Sequence, residues 1–219
     1  MEIEVLEGVF DANEMIAKEN RRILDEAGSF MVNLMASPGA GKTSVILKTL
    51  EGVSGRLKGA VIEGDIAGKV DSERIAETGV PAIQINTGGS CHLEARQVNS
   101  ALSRMELEGV DLVIVENVGN LVCPAEFKLG EDLKVMILSV AEGDDKPLKY
   151  PLMFSESDVL LINKIDLIPH TDFDIGRLKE TLRKMNAGAR IFELSCRTGE
   201  GVSAWTDWLE ERVKTAGRG

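Results

Sequence analysis

A lysine and a threonine side by side at the end of a glycine-rich stretch are the first residues that suggest chemistry. Ala36-Ser-Pro-Gly-Ala-Gly-Lys-Thr43 puts Gly39, Ala40 and Gly41 before Lys42, Thr43 and Ser44. Small residues there let main-chain N–H groups approach phosphate oxygens, and a helix start behind them adds its positive end. In such a loop the lysine reaches the terminal phosphates and the threonine hydroxyl binds Mg²⁺. The flanks agree, with a strand-like run at Phe30–Met35 and a helix-like one at Ser44–Leu50. Ala36 stands where the usual pattern begins with Gly, a small-for-small change.

A second group of residues suits a transition metal. Cys91 and His92 are adjacent, and Cys123 follows a buried strand that ends at Glu116. Two sulfurs and an imidazole suit Zn²⁺ or Ni²⁺ far better than Mg²⁺. One chain is short of a closed tetrahedral set unless water or a second subunit completes it. Cys91 is expected at a helix start, where a thiolate is favoured. Taken bottom-up, the same three residues are equally compatible with inert buried thiols.

Carboxylates lie between these groups. Glu116, followed by Asn117-Val-Gly119, is placed to hold Mg²⁺ through water, with the Gly119 amide sensing a terminal phosphate. Asp65 and Asp71 flank a polar stretch after the second strand. One of the two is expected to contact Mg²⁺ or orient the attacking water, and the pattern does not say which. Asp71, before Ser72-Glu-Arg, is equally readable as a helix cap.

Asn163-Lys164-Ile165-Asp166 closes an apolar strand and resembles the base-recognition motif of P-loop GTPases. A carboxylate accepts from both guanine N1–H and the 2-amino group, which adenine does not offer. GTP is therefore expected over ATP. Ser195-Cys196-Arg197 resembles the short loop that closes over the base, with Arg197 where lysine is more usual.

Composition narrows the classes. Lys plus Arg number 25 against 36 Asp plus Glu in 219 residues, a net charge of −11. That balance argues against nucleic acid as the main partner. No run approaches the roughly 18 apolar residues of a membrane span. The start, Met1–Glu7, lacks a basic, then apolar, leader pattern. Three widely spaced cysteines make a poor disulfide framework and suit a reducing cytoplasm.

The elements that must position these residues alternate. A weak amphipathic helix is expected from Asp11, as cap, to about Ala27, with Glu14 completing a capping box. Strands are expected at 59–65, 81–86, 111–116, 133–140, 158–163 and 190–194. Helices are expected at 71–78, from Cys91 (capped by Ser90) to about Glu108, and at 174–186 and 200–214. This alternation predicts an α/β, doubly wound, mostly parallel sheet with ligands at the carboxyl ends of the strands. Trp205 and Trp208 read as packing residues. Residues 1–28 are read as an N-terminal helical segment for partner contact or packing, and 29–219 as the P-loop domain.

Taken in order, the phosphate loop, Cys91-His92, Glu116-Asn-Val-Gly-Asn-Leu-Val-Cys-Pro124, Glu142-Gly-Asp-Asp-Lys-Pro-Leu-Lys149 and Asn163-Lys-Ile-Asp-Leu167 resemble the hydrogenase nickel-incorporation accessory GTPases over nearly the whole chain. The resemblance implies a P-loop NTPase of the nucleotide-dependent dimerising, SIMIBI-like type. It implies slow turnover of GTP to GDP with Mg²⁺, and a GTP-dependent homodimer whose interface Ni²⁺ or Zn²⁺ site is built from Cys91, His92 and Cys123. It also implies work with a small zinc-containing nickel metallochaperone, contacted by the N-terminal region, and through it with the [NiFe]-hydrogenase large subunit. The cysteine-rich and histidine-rich nickel motifs of some members have no match in this sequence, and Arg96 stands where some have a further histidine. The metal function is therefore expected to rest on the G-domain site. Sister GTPases for urease nickel loading or a cobalamin enzyme are the nearest alternative, and a P-loop small-molecule kinase a more distant one.

Overall fold

A computed structural model describes residues 9–65 and 74–216, with the side chains of 9–11 and 65 left aside. Its centre is a seven-stranded parallel sheet: β1 (Phe30–Ala36), β2 (Gly59–Asp65), β3 (Ala82–Asn86), β4 (Leu112–Glu116), β5 (Leu133–Ser139), β6 (Val159–Asn163) and β7 (Arg190–Glu193). The spatial order is β3-β2-β4-β1-β5-β6-β7. β1, β4, β5 and β6 are buried along their whole length, while the edge strand β3 alternates. That contrast is what helices on both faces of a parallel sheet produce.

One face is covered by α2 (Lys42–Val53) and by α8 (Val202–Thr215). Val45, Ile46 and Leu50 of the first and Trp205, Leu209 and Val213 of the second join Val32, Leu34, Ile114 and Val135 in one core. Trp205 is a packing residue, as expected, and its indole N–H donates to Thr49 Oγ1 at 2.9 Å. The other face carries α1 (Val9–Ala27) and α3 (Ala95–Leu102) over β2 and β4. It also carries two short helices, α5 (Lys146–Lys149) and α6 (Pro151–Ser155), with α7 (Ile175–Met185), by β5 and β6. No helix among the described residues is long and apolar enough to cross a membrane.

Two local expectations are corrected. α1 already includes Val9, so Asp11 lies inside the helix and is not its cap. The helix expected from Cys91 to Glu108 is only Ala95–Leu102. Its cap is Glu94 in a reciprocal box with Gln97, and Ser90 sits in a preceding turn whose N–H donates to Thr87 O. Cys91 consequently lies in an irregular loop, and the helix-start argument for its thiolate does not apply. The helix expected at 71–78 is helical at 74–76 and passes into a turn at 77–79, and its start lies outside the described residues.

The N-terminal helix is docked by polar side chains as much as by its thin apolar stripe. Asn20, fully buried, donates to Ala95 O and Leu129 O, both at 2.8 Å, and accepts from Asn99 Nδ2 at 2.9 Å. Asn13 accepts from Ala95 N–H at 2.8 Å. Arg21 pairs with Asp25 at 3.0 Å and with Asp132 at 2.5 Å.

Candidate nucleotide and metal site

The phosphate loop leaves the carboxyl end of β1, at the position where the sheet order runs outward in both directions. That is where open parallel sheets bind ligands. Gly39 and Gly41 have φ of 77° and 100°. Only glycine takes such values cheaply, and at Gly41 a Cβ would also lie 2.6 Å from Asn163 Nδ2. α2 starts at Lys42 with no acidic residue in its first turn and no side-chain cap, so its first N–H groups face an open cleft of about 480 Å³. Gly39, Gly41, Lys42, Thr43, Ser44, Glu116 and Gly119 line that cleft.

At the cleft floor, Thr43 Oγ1 lies 3.2 and 3.4 Å from the two carboxylate oxygens of Glu116, and both residues are buried. A hard-cation hydroxyl beside a carboxylate below a phosphate cleft is a donor set that fits Mg²⁺. A Cβ on Gly119 would meet Pro38 Cγ, N and Cα at 3.0–3.2 Å, so its amide is held against the phosphate loop. Asp65 ends β2, in register with Asn86 of β3. Asp71 lies outside the described residues.

The residues expected at the base end line a contiguous cleft of about 520 Å³ that includes Lys48, Asn163, Lys164, Asp166, Cys196 and Arg197. Asn163, buried at the tip of β6, donates to Ala40 O at 2.9 Å and so ties the base loop to the phosphate loop. Its Oδ1 accepts from Lys164 N at 2.8 Å and from Cys196 N at 3.4 Å. Lys164 adopts the left-handed φ of 63°, and its Nζ donates to Gly39 O at 2.6 Å. Asp166 accepts from Ser195 Oγ at 2.6 Å, and Thr198 N–H donates to the same hydroxyl at 3.2 Å. Arg197 is largely exposed, with its guanidinium 3.9 Å from Asp166. Burial pushes the Cys196 thiol up to about 11, so it stays neutral.

Three further residues shape this site in roles that no local pattern announces. Ser37 Oγ donates to Glu142, whose other carboxylate oxygen accepts from Ser139 N–H at 3.0 Å. The charged stretch after β5 thus braces the phosphate loop. Arg74 lines both clefts. In the same stretch Lys149 pairs with Asp145 at 2.5 Å, and Lys146 lies over the Tyr150 ring at 5.4 Å. His170 is exposed.

On the opposite face of the same sheet end, Cys91, His92 and Cys123 converge. Their ligand atoms all lie within 4.8 Å of one another. Cys91 Sγ is 3.3 Å from Cys123 Sγ and 3.4 Å from His92 Nδ1. Cys123 opens the one-turn helix α4 (Cys123–Glu126), with Pro124 directly behind it. The neighbouring Cys91 sulfur, then burial, hold the Cys123 thiol above its ordinary range. Burial likewise pulls the His92 imidazole down toward its neutral, ligating form. The His92 ring stacks on Phe127 at 4.0 Å, and its buried Nε2 finds no partner among the described residues. Thiols crowded together beside a neutral imidazole suit a thiophilic divalent cation. Three ligands leave the fourth position of a tetrahedron open.

Fold and loop together define a P-loop NTPase of the SIMIBI type. Residues 30–193 match the family model described as CobW/HypB/UreG, nucleotide-binding domain. The hydrogenase maturation factor HypB of Azotobacter vinelandii is 48% identical over 214 residues, which span 97% of this chain and 70% of that one. A crystal structure of HypB from Helicobacter pylori in complex with nickel superposes with a TM-score of 0.89 at 36% identity, covering 95% of this chain and 98% of that one. The signal recognition particle receptor FtsY from Elizabethkingia anophelis shares the fold alone, with a TM-score of 0.53 at 16% identity over 92% of this chain and 74% of that one. The chain belongs to the HypB hydrogenase maturation factor family.

Proposed function

We propose that this protein is a GTP-hydrolysing nickel metallochaperone that regulates nickel insertion into [NiFe]-hydrogenase. Its metal site would lie at the interface of a GTP-dependent homodimer. The observation that carries this reading is the convergence of Cys91, His92 and Cys123 beside the loop that bears Glu116 and Gly119. The HypB relatives favour the hydrogenase branch over a urease or cobalamin sister.

On this reading Asp166 selects guanine, Asn163 and Lys164 hold the phosphate loop in register with the base, and Lys42 neutralises the terminal phosphates. Thr43 and Glu116 would hold Mg²⁺, which would supply charge stabilisation to the transferring phosphoryl group. Asp65 or Asp71 orients the attacking water. Gly119 reports whether the terminal phosphate is present. Nickel is cargo: three ligands from one subunit leave its shell open for a second subunit or for the receiving protein. Helix α1, within residues 1–28, is proposed as the contact for a small zinc-containing nickel metallochaperone in the cytoplasm, and 29–219 as the working domain.

The test is titration of Ni²⁺ and of Zn²⁺ into the GDP and GTPγS forms, with mass followed by light scattering. Cys91→Ala and Cys123→Ala should each abolish G-domain binding of both metals, and GTPγS with Mg²⁺ should raise the mass of the wild type. Unchanged metal stoichiometry in both variants would refute the proposed site.

A further inference from the structure

Side chains alternate across a strand, so two consecutive residues at the end of β4 address opposite faces of the sheet. Glu116 faces α2, where it meets Thr43. Asn117, the next residue, faces the other way. It is fully buried and donates to Asn33 Oδ1 at 3.1 Å. Its own Oδ1 accepts two N–H groups from different loops: Val118 at 2.9 Å, and Leu93 at 3.0 Å. Val118 precedes Gly119, the residue packed on the phosphate loop. Leu93 follows His92. One amide oxygen therefore joins the nucleotide-facing loop to the metal-facing one.

Three residues on, the arrangement recurs. Asn120 Oδ1 accepts from Val122 N–H at 2.9 Å, immediately before Cys123. Its Nδ2 donates to Cys91 O at 3.1 Å. The Cys91 carbonyl and the residue just before Cys123 are thus held by one side chain, which sits next to Gly119.

We propose that Asn117 and Asn120 are positioning residues that convert a displacement of Val118–Gly119 into a change in the spacing of Cys91, His92 and Cys123. The inference rests on the nucleotide-coupled metal site proposed above. When Gly119 moves relative to Pro38, Asn117 carries Leu93 with it, and Asn120 changes the approach of the Cys91 backbone to the start of α4. Neither side chain needs to touch nucleotide or metal. An amide suits the task because it offers an acceptor and a donor on one rigid plane, so it can hold two loops at once.

The linkage is read as a ratio. In the full-length protein the dissociation constant for Ni²⁺ alone is measured in the GDP·Mg²⁺ and GTPγS·Mg²⁺ forms. The wild type should show a difference of about 5-fold or more, the lower range for coupled sites. Asn120→Ala and Asn117→Ser should each bring that ratio to within about 2-fold of unity, and the reciprocal effect of Ni²⁺ on GTPγS-over-GDP preference should vanish in parallel. A role as structural glue alone would weaken nickel equally in both forms and leave the ratio at its wild-type value, which would overturn the linkage. Loss of all nickel binding by Asn120→Ala would place it in the ligand shell and also overturn it. Should Asn117→Ser fail to fold, the half-buried Asn120 carries the test. A wild-type ratio of one would instead refute the nucleotide-coupled reading beneath it.

Discussion

Replacing Asp166 by alanine gives the sharpest test of the nucleotide assignment. In the structure one carboxylate oxygen accepts from Ser195 at 2.6 Å, and the other faces the exposed Arg197 across 3.9 Å. The Ser195 bond uses one of roughly four lone-pair directions of an ionised carboxylate, which leaves enough for both guanine N1–H and the 2-amino group. Hydrogen bonds to a charged acceptor are worth about 1.5–3 kcal/mol each, so losing two costs about 3–6 kcal/mol. At about 1.4 kcal/mol per decade, this is a roughly 10²- to 10⁴-fold loss of GDP affinity. Collapse of the loop is not expected to add to it, because Ser195 keeps the Thr198 N–H and Asn163 keeps the phosphate-loop tether. Competition against a fluorescent guanine nucleotide measures the loss, with ADP and XDP run alongside. ADP affinity should be unchanged. Asp166→Asn should gain XDP, since its amide can donate to the 2-oxo group that replaces the amine. A GDP loss below about 10-fold would refute the assignment, as would an equal loss for ADP.

Gly41→Ala forces a Cβ to within 2.6 Å of Asn163 Nδ2 at a φ of 100°. The left-handed backbone alone costs about 1–2 kcal/mol, and nucleotide affinity should fall at least 10-fold as Asn163 leaves Ala40; equilibrium binding would show it. Cys196 should alkylate slowly. With its thiol held near 11, against 9.0 for a free thiol, the thiolate at pH 8 is about 100-fold scarcer, and reactivity should climb steeply only toward pH 11. The raised value also means that Cys196 favours the fold below pH 9 and ceases to do so as pH rises through 11. Rapid labelling of that residue by iodoacetamide at pH 8, read by mass spectrometry, would contradict its burial. Asn20→Ala should lower stability to urea by about 2–4 kcal/mol, since two buried carbonyls and the half-buried Asn99 lose their hydrogen bond. A loss under about 1 kcal/mol would show that α1 does not depend on it.

What the residues alone determined is local. Continuous apolar runs named the strands, and the helix-starting loop at Gly39–Thr43 named a phosphate site. Asn163-Lys-Ile-Asp166 carried the expectation of a guanine base, because each motif carries its backbone geometry in its own sequence. Helix limits near Cys91 and Asp11 differ from those the local pattern implies, since a capping serine or aspartate is only one competitor for a backbone that tertiary contacts also claim. In the fold Glu94 caps α3, and Asn13 and Asn20 hold its first residue from α1.

Only the tertiary structure brought Cys91 to 3.3 Å from Cys123 and Ser37 against Glu142. It alone disclosed Arg74 in both clefts, and Asn117 spanning two loops. These pairings depend on which strands are neighbours and on which face each residue meets. Strand order is set by how whole helices bury their apolar stripes against the sheet, a sum over many distant contacts that no short window of sequence contains.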